Sequence, residues 1–131
     1  MTPRAVHVKG LDHGTNPIPA AARRGPLVAT SNVFGRRIGD GERPIAAADE
    51  FQLAFAHLGT ILTTAGASLS DLVKVDVRIS GAEYRELLNE QWKLIFPDPD
   101  DRPARHVTTG DVPAGFRLQI SALAYAVDTT S

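Results

Sequence analysis

Two segments near the C-terminal end decide the fold, RPARHVTT at residues 102–109 and RLQISALAY at residues 117–125. Both are rich in strand-forming residues, and the second alternates apolar with polar side chains, which is typical of a strand with one buried face. Pro113-Ala114-Gly115 lies between them and predicts a turn. The segments therefore predict two strands joined by a Gly/Pro loop.

Arg105 begins the first of these strands, while Gln119 and Ser121 share one face of the second. An arginine offers a planar fork of donors that binds a carboxylate through two parallel hydrogen bonds. A fixed guanidinium beside polar strand residues therefore predicts a site for a small carboxylate ligand. The alternative is a structural ion pair between Arg105 and an acid of the preceding loop, which is Asp98, Asp100 or Asp101.

Composition limits the class of protein. At 131 residues the chain is expected to form one domain, residues 1–131, that is large enough for a hydrophobic core. The formal net charge is -1, so there is no basic excess to attract a phosphate backbone, and nucleic acid is not an expected partner. The sequence has no cysteine, which excludes disulfides, thiolate metal sites and a cysteine nucleophile.

Neither a membrane partner nor a metal site is expected. No apolar run approaches the roughly 18 residues that a membrane helix needs. Residues 1–8 lack the apolar core of a signal peptide, so the expected location is cytoplasmic. The acids of residues 97–103 lack the glycine and the terminal glutamate of a calcium loop, which favours a solvated acidic loop. The tail at residues 128–131 is expected to be loose.

Hydrophobic periodicity predicts two helices. Apolar residues recur at helical spacing from residue 51 to residue 65, with Gly66 as a stop signal, and again from residue 82 to residue 96. Residues 11–21 contain two prolines and are expected to be irregular and stiff. Strands are predicted at residues 5–8, 27–34, 36–38 (brief), 72–79, 102–109 and 117–127.

This order of elements predicts an α+β fold, with a single-layer mixed β-sheet and both helices on one face. The last strand carries two large apolar residues, Leu123 and Tyr125, on the face that would be exposed in a single sheet. An exposed apolar face of this kind predicts that another copy of the chain covers it.

Several motifs together match the pattern of one known family. They are Asn16-Pro17 with the Gly25 turn, AGASLSDLVK at residues 65–74, Leu88-Asn89-Glu90, Pro103-Ala104-Arg105, and Pro113 with LQISALA at residues 118–124. On these motifs the chain, roughly from residue 11 to residue 127, resembles the Rid (YjgF-like) family of reactive-intermediate enamine/imine deaminases.

The resemblance implies a chorismate-mutase-like fold and a homotrimer with sites in clefts between adjacent subunits. It also implies hydrolytic deamination of small 2-imino or 2-enamino acids to 2-oxo acids and ammonia, without a cofactor. In the family, the arginine that matches Arg105 binds the substrate carboxylate. Backbone groups near Asn32 and Val107 would complete the cradle, and the asparagine that matches Asn89 lies close to the site.

The sequence departs from the family pattern at four positions. Deaminating members carry a glutamate where this chain has Gln119, and often a second one where it has Ser121. A glutamine can orient a water molecule but cannot take its proton near neutral pH. The usual tyrosine of the first loop is Ile18, and the usual glycine after the strand at residues 27–31 is Asn32.

Two histidines are candidate replacement bases. His106 follows Arg105 directly, and neighbours on a strand point to opposite faces, so His106 is a weak candidate for a substrate held by Arg105. His13 lies on the stiff loop, where a surface histidine is the more common explanation.

Three classes of function therefore remain open. The first is the imine deaminase, with Gln119 positioning the water. The second is a non-catalytic trimer that binds a small carboxylate through Arg105. The third is a trimeric interaction protein in which Arg105 forms an interface ion pair. A ribonuclease role, sometimes attached to this family, is the least favoured because of the near-neutral charge. Selectivity in a binding site would come from Ile18, Val33, Phe34 and Val107.

Overall fold

The helices and strands largely follow the periodicity of the sequence, and the computed structural model describes residues 3–127. The tail expected to be loose lies outside these residues. Within residues 3–127 there are two α-helices, α1, Ala47–Thr64, and α2, Arg85–Ile95. The seven strands are β1 Ala5–Val6, β2 Ala21–Arg24, β3 Leu27–Thr30, β4 Val33–Phe34, β5 Leu72–Ile79, β6 Ala104–Thr109 and β7 Leu118–Tyr125.

The strands form one mixed sheet in the order β1-β2-β3-β7-β5-β6, with β4 paired to β7 beyond β3. The β5–β6 pair is parallel and the other pairs are antiparallel. The parallel pair follows from the chain path, because α2 lies between β5 and β6 in sequence and returns the chain to the same end of the sheet. The predicted α+β class, with a mixed sheet and two helices, is confirmed.

The hydrophobic core lies between the helices and one face of the sheet. Every residue of the stripe predicted for the first helix is buried, and Phe51 and Leu58 are 0% exposed. The sheet contributes the residues of β5 and β7 that point to the same side. We call this side the helix face; its buried residues on these strands are Val75, Val77, Ile79, Leu118, Ile120, Ala122 and Ala124.

The opposite side of the sheet, called here the open face, carries the other alternate residues of the central strands. Leu123 and Tyr125 lie on it and are 41% and 54% exposed, as their spacing predicted. The polar residues of the open face are Lys74, Asp76 and Arg78 of β5, His106 and Thr108 of β6, and Gln119 and Ser121 of β7.

The strand predicted at residues 27–34 is interrupted at Ser31 and Asn32. β3 and β4 both pair with β7, but at the break the Ala122 backbone N–H is bonded to the Thr30 hydroxyl at 2.9 Å. A side-chain acceptor thus replaces a ladder carbonyl, and Asn32 is released from the sheet and exposed.

Three details of the strand prediction are wrong. Residues 21–24 form β2, although their sequence, Ala-Ala-Arg-Arg, has no strand signal; pairing with both β1 and β3 imposes the strand. Residues 36–38 form no strand; a turn follows at residues 38–40, where the Gly41 N–H is bonded to the Arg37 carbonyl. Val73 is exposed because the β5–β7 register shifts between Leu72 and Lys74.

Candidate functional site

Arg105 lies on β6, and its guanidinium packs against α2. Nη2 donates a hydrogen bond to Oδ1 of Asn89 at 2.7 Å, and Cζ lies 5.0 Å from the ring centroid of Trp92. Asn89 and Trp92 are three residues apart on α2, so they face the same side of the helix. One hydrogen bond and one cation–π contact therefore hold the guanidinium. In the sequence, Trp92 is only one of the apolar residues at helical spacing between residues 82 and 96.

One donor of Arg105 has no partner. Nη1 is buried and makes no hydrogen bond within residues 3–127, and none of the ion pairs formed there includes Arg105. The alternative of an intrachain ion pair with an acid of the 97–103 loop is therefore wrong. A buried cationic donor without a hydrogen-bond partner is unfavourable.

Two effects act on the charge of Arg105. Burial lowers the pKa of Arg105, and repulsion from the guanidinium of Arg85 lowers it further. An arginine nevertheless stays protonated at neutral pH. The side chain is therefore a permanent cation in a partly desolvated position, where an ion pair with a ligand is stronger than at a free surface.

Within one chain, Arg105 and Gln119 lie on opposite sides of the sheet. Arg105 pairs with Val75, which is fully buried on the helix face. Gln119 pairs with Arg78, which is on the open face. Val107 lies on the same side as Arg105, because it pairs with buried Val77. The structure thus brings Arg105, Asn89 and Val107 to one side and leaves Gln119 on the other.

Gln119 lines a shallow pocket of about 230 Å³ on the open face, together with Ser121, Arg78 and Thr108. His106 and Asp76 line the same pocket, and His106 Nδ1 lies 3.7 Å from Asp76 Oδ1. The prediction that His106 points away from Arg105 is confirmed, but the same alternation puts His106 on the side of Gln119. Asp76 was not predicted as a site residue. Its place between Val75 and Val77 on a strand was the available signal, because alternation puts Asp76 on the face opposite the two valines.

A second cavity, of about 280 Å³, is lined by three of the predicted binding residues, Asn32, Val33 and Phe34. The Phe34 ring lies 5.3 Å from the ring of Phe116, centroid to centroid, so the two form an aromatic wall. Ala114 lies at its rim with a φ of 56°, an unfavourable value for a residue other than glycine. Ile18 is 47% exposed on its loop and lines neither cavity.

His13 also lines the second cavity, and a pH-dependent stability is expected from it. Burial lowers the pKa of His13, and so does the charge of Arg36, while Asp12 opposes them. Below about pH 6.5 the unfolded chain therefore binds a proton at this residue more readily than the folded chain does. The free energy of unfolding should fall as the pH drops from about 7 to 5, and the fall should be smaller in His13→Gln.

Urea unfolding of both proteins at the two pH values measures this difference. If the free energy of unfolding falls equally in the native protein and in His13→Gln, then His13 does not contribute to the acid sensitivity. His7→Gln serves as the control, because His7 is exposed and lies outside the cavity.

Among residues 3–127, no group of three or more histidine, aspartate or glutamate side chains is arranged to hold a metal ion. Over the same residues, neither helix combines the length and the apolar character that crossing a bilayer requires.

Comparison with known sequences identifies the class. Residues 15–126 match the family described as endoribonuclease L-PSP. The chain is 30% identical over 111 residues to a 2-iminobutanoate/2-iminopropanoate deaminase of Dermatophagoides farinae, covering 82% of this chain and 84% of that protein. It is 32% identical over 80 residues, 58% of this chain, to the mitochondrial protein mmf2 of Schizosaccharomyces pombe, and spans 62% of the length of mmf2. The chain belongs to the YjgF/Rid family, as its motifs predicted.

Solved structures share the fold at lower sequence identity. The YjgF gene product of E. coli superimposes with a TM-score of 0.83 at 20% identity, and E. coli TdcF with bound serine superimposes with a TM-score of 0.84 at 24% identity. Each comparison covers 92% of this chain and 97% of the other. The arrangement of sheet and helices is thus that of the YjgF and TdcF structures.

Proposed function

We propose that the protein is a hydrolytic deaminase of small 2-imino and 2-enamino acids, which it converts to 2-oxo acids and ammonia. The observation that carries the proposal is the guanidinium of Arg105, which Asn89 and Trp92 hold and which has no carboxylate partner among residues 3–127. Every substrate of this class has a carboxylate that suits this guanidinium. The relative from Dermatophagoides farinae is a deaminase of 2-iminobutanoate and 2-iminopropanoate by name. The family and the chemistry of Arg105 thus support the same class of substrate.

The proposed site lies in a cleft between two copies of the chain, within a homotrimer of chorismate-mutase-like subunits. Three observations support this arrangement. Arg105 and Gln119 lie on opposite sides of the sheet, so one substrate can meet both only if they come from different copies. β6 is the last strand in the sheet order, which leaves Arg105 at a margin that a neighbour can approach. Leu123 and Tyr125 expose an apolar surface that a neighbour would bury.

In this cleft Arg105 binds the substrate carboxylate, and Asn89 and Trp92 fix the direction of the guanidinium. Backbone groups near Asn32 and Val107 complete the carboxylate cradle. The substrate side chain lies against Ile18 and Phe34. Binding through a fixed guanidinium holds the C=N carbon at one place, and positioning of this kind lowers the entropic part of the barrier.

The reaction is the addition of water to the C=N bond. Gln119 accepts a hydrogen bond from the water and directs its oxygen at the imine carbon. As the new C–O bond forms, the electron pair of the C=N bond moves to nitrogen, which takes a proton. The carbinolamine then expels ammonia and leaves the C=O bond of the 2-oxo acid.

The alternative function is that of a non-catalytic trimer that binds a small carboxylate. The observation that favours it is Gln119 itself, which supplies no base where deaminating members of the family have a glutamate. In this case Arg105 holds a stable ligand, and the same cleft performs no chemistry. TdcF, which shares the fold, was solved with serine, a small carboxylate.

The test is the release of ammonia and of 2-oxo acid from freshly generated 2-iminopropanoate and 2-iminobutanoate. Acceleration over buffer is expected from the native protein. In Arg105→Ala the loss of a charge-paired contact should lower kcat/KM by about 30-fold or more. Arg4→Ala is the matched control, because Arg4 is an exposed arginine in the N-terminal segment. The activity of the Arg4→Ala variant should equal that of the native protein.

The other outcomes distinguish the alternatives. No acceleration, combined with a rise in melting temperature when a small 2-oxo acid is added to the native protein but not to Arg105→Ala, would support the binding protein. Absence of both turnover and binding would leave only the interaction protein. Light scattering tests the assembly, and a monomer at micromolar concentration would contradict the proposed cleft.

A further inference from the structure

The proposed reaction requires a proton acceptor that Gln119 does not supply, because a carboxamide is not a base near neutral pH. Attack by neutral water leaves a proton on oxygen, and departure of ammonia requires a proton on nitrogen. A group that takes the first proton and delivers the second would serve both steps. The titratable groups that line the pocket with Gln119 are His106, Asp76 and Arg78, and an arginine stays protonated.

His106 and Asp76 are joined to Gln119 and Ser121 by the strand register. Asp76 of β5 pairs with His106 on one side and with Ser121 on the other. Arg78, two residues further along β5, pairs with Gln119. Because paired residues share a face, these side chains form two adjacent rows across the open face. His106 thus lies in the pocket of about 230 Å³ that Gln119 also lines.

The contact between His106 and Asp76 has the polarity that a base requires. Nδ1 of the imidazole faces Oδ1 of the carboxylate at 3.7 Å. At this distance the two atoms are in electrostatic contact and not hydrogen-bonded. A small rotation of the imidazole would let Nδ1–H donate to the carboxylate, and that tautomer leaves Nε2 as the proton acceptor. The two side chains are 66% and 46% exposed, so packing does not account for the pair. Exposed ion pairs of this kind contribute little to stability.

Two cations, Lys74 and Arg78, lie on the same face as the pair, and Lys74 contacts it while Arg78 does not. Lys74 Nζ lies 3.6 Å from the same Oδ1 of Asp76. Arg78 is turned away from Asp76, since its Nε donates to the Asp111 carbonyl at 2.8 Å and its Nη1 lies 3.4 Å from the Thr108 hydroxyl. Asp76 therefore interacts with His106 and Lys74, while Arg78 is engaged by the loop after β6. Nε2 of His106 remains directed to the pocket or to solvent, with no hydrogen bond among the described residues.

We propose that His106 is the general base of the deaminase reaction, that Asp76 orients it, and that this pair takes the place of the glutamate absent from position 119. The inference rests on the proposed function. Nε2 of His106 accepts a proton from the water as the oxygen bonds to the imine carbon. The electron pair of the C=N bond moves to the nitrogen, which takes a proton from solvent, and the imidazolium then gives its proton to the same nitrogen. As the C–N bond breaks, the hydroxyl loses its proton to solvent, so the products are the C=O group and neutral ammonia. Arg105 of a neighbouring copy holds the carboxylate.

The experiment measures the hydrolysis of 2-iminobutanoate between about pH 5 and 8, the range in which histidine bases act, with the buffer rate subtracted at each pH. The native rate should rise across this range. In His106→Gln the rate should fall by about 100-fold and lose its rise with pH. Asp76→Asn should give a smaller fall, of about tenfold. His7→Gln is the control, an exposed histidine on which no step depends.

A second variant tests the chemistry directly. In His106→Gly the addition of free imidazole should restore part of the rate, in proportion to its concentration, which a purely structural role for His106 would not produce. If His106→Gln keeps the native rate and pH profile while Arg105→Ala loses activity, the inference fails and the proposed function stands. If the native protein does not accelerate hydrolysis at any pH, the proposed function fails and the inference fails with it.

Discussion

Replacing Gln119 with glutamate is expected to raise imine hydrolysis by about tenfold, because it adds a second proton acceptor beside His106; the roughly 100-fold that a well-placed general base contributes is expected only where His106 is absent. Gln119 and glutamate have nearly the same shape, and the side chain lies in an open pocket that accommodates a charge. The new carboxylate would take a proton from the water that the amide only orients. The measurement is kcat/KM for 2-iminobutanoate at a pH near 7, compared with the native protein.

Two further variants make this result specific. The double variant Gln119→Glu/His106→Gln should stay active, because the carboxylate then replaces the histidine as base. The double variant Gln119→Glu/Arg105→Ala should lose the gain, because the substrate is no longer positioned. An unchanged rate in Gln119→Glu would place residue 119 away from the reacting carbon and would contradict the role proposed for Gln119.

The sequence predicted those parts of the fold that periodicity controls. The apolar stripe of α1 and the alternation along β7 depend on which residues must be buried, and both are confirmed. β2 was missed because its residues have little preference for a strand and are ordered by their neighbours on both sides. The break between β3 and β4 was missed because it depends on a contact from Thr30 to Ala122, far along the chain.

The site was less predictable, for a topological reason. Arg105 and Gln119 were each assigned to a strand correctly, but their strands are not neighbours, since β5 lies between β6 and β7. Which side of the sheet each residue faces depends on the register of both strands with β5, and local sequence does not contain that register. This register puts His106, and not Arg105, on the side of Gln119.

The sequence also did not predict the buried ion pair between Glu50 and Arg117. Glu50 lies in the first turn of α1, a position that the helix dipole favours for any acid. In the structure Glu50 is 0% exposed and its Oε1 accepts a hydrogen bond from Nη1 of Arg117 at 2.8 Å. Oε2 accepts the Arg117 backbone N–H at 2.7 Å. The pair therefore links the start of α1 to the residue that precedes β7, across 67 residues of sequence.

Replacing Glu50 with alanine is expected to lower the free energy of unfolding by about 3–5 kcal/mol. The change leaves the Arg117 guanidinium without its carboxylate in a position where the side chain is only 14% exposed. It also leaves the Arg117 backbone N–H without an acceptor. Glu50→Gln should lower the free energy less, because the amide oxygen can still accept one of these bonds. Urea unfolding monitored by circular dichroism measures both.

The matched control is Asp40→Asn, which breaks an ion pair with Arg37 of nearly the same length, 2.7 Å. Those two side chains are 50% and 52% exposed, so water replaces the lost contact and the change in stability should be far smaller. Equal losses in Glu50→Ala and Asp40→Asn would mean that the length of the contact, rather than its burial, sets its contribution. The double variant Glu50→Leu/Arg117→Met should recover part of the loss, since removing both charges also removes the unpaired buried cation.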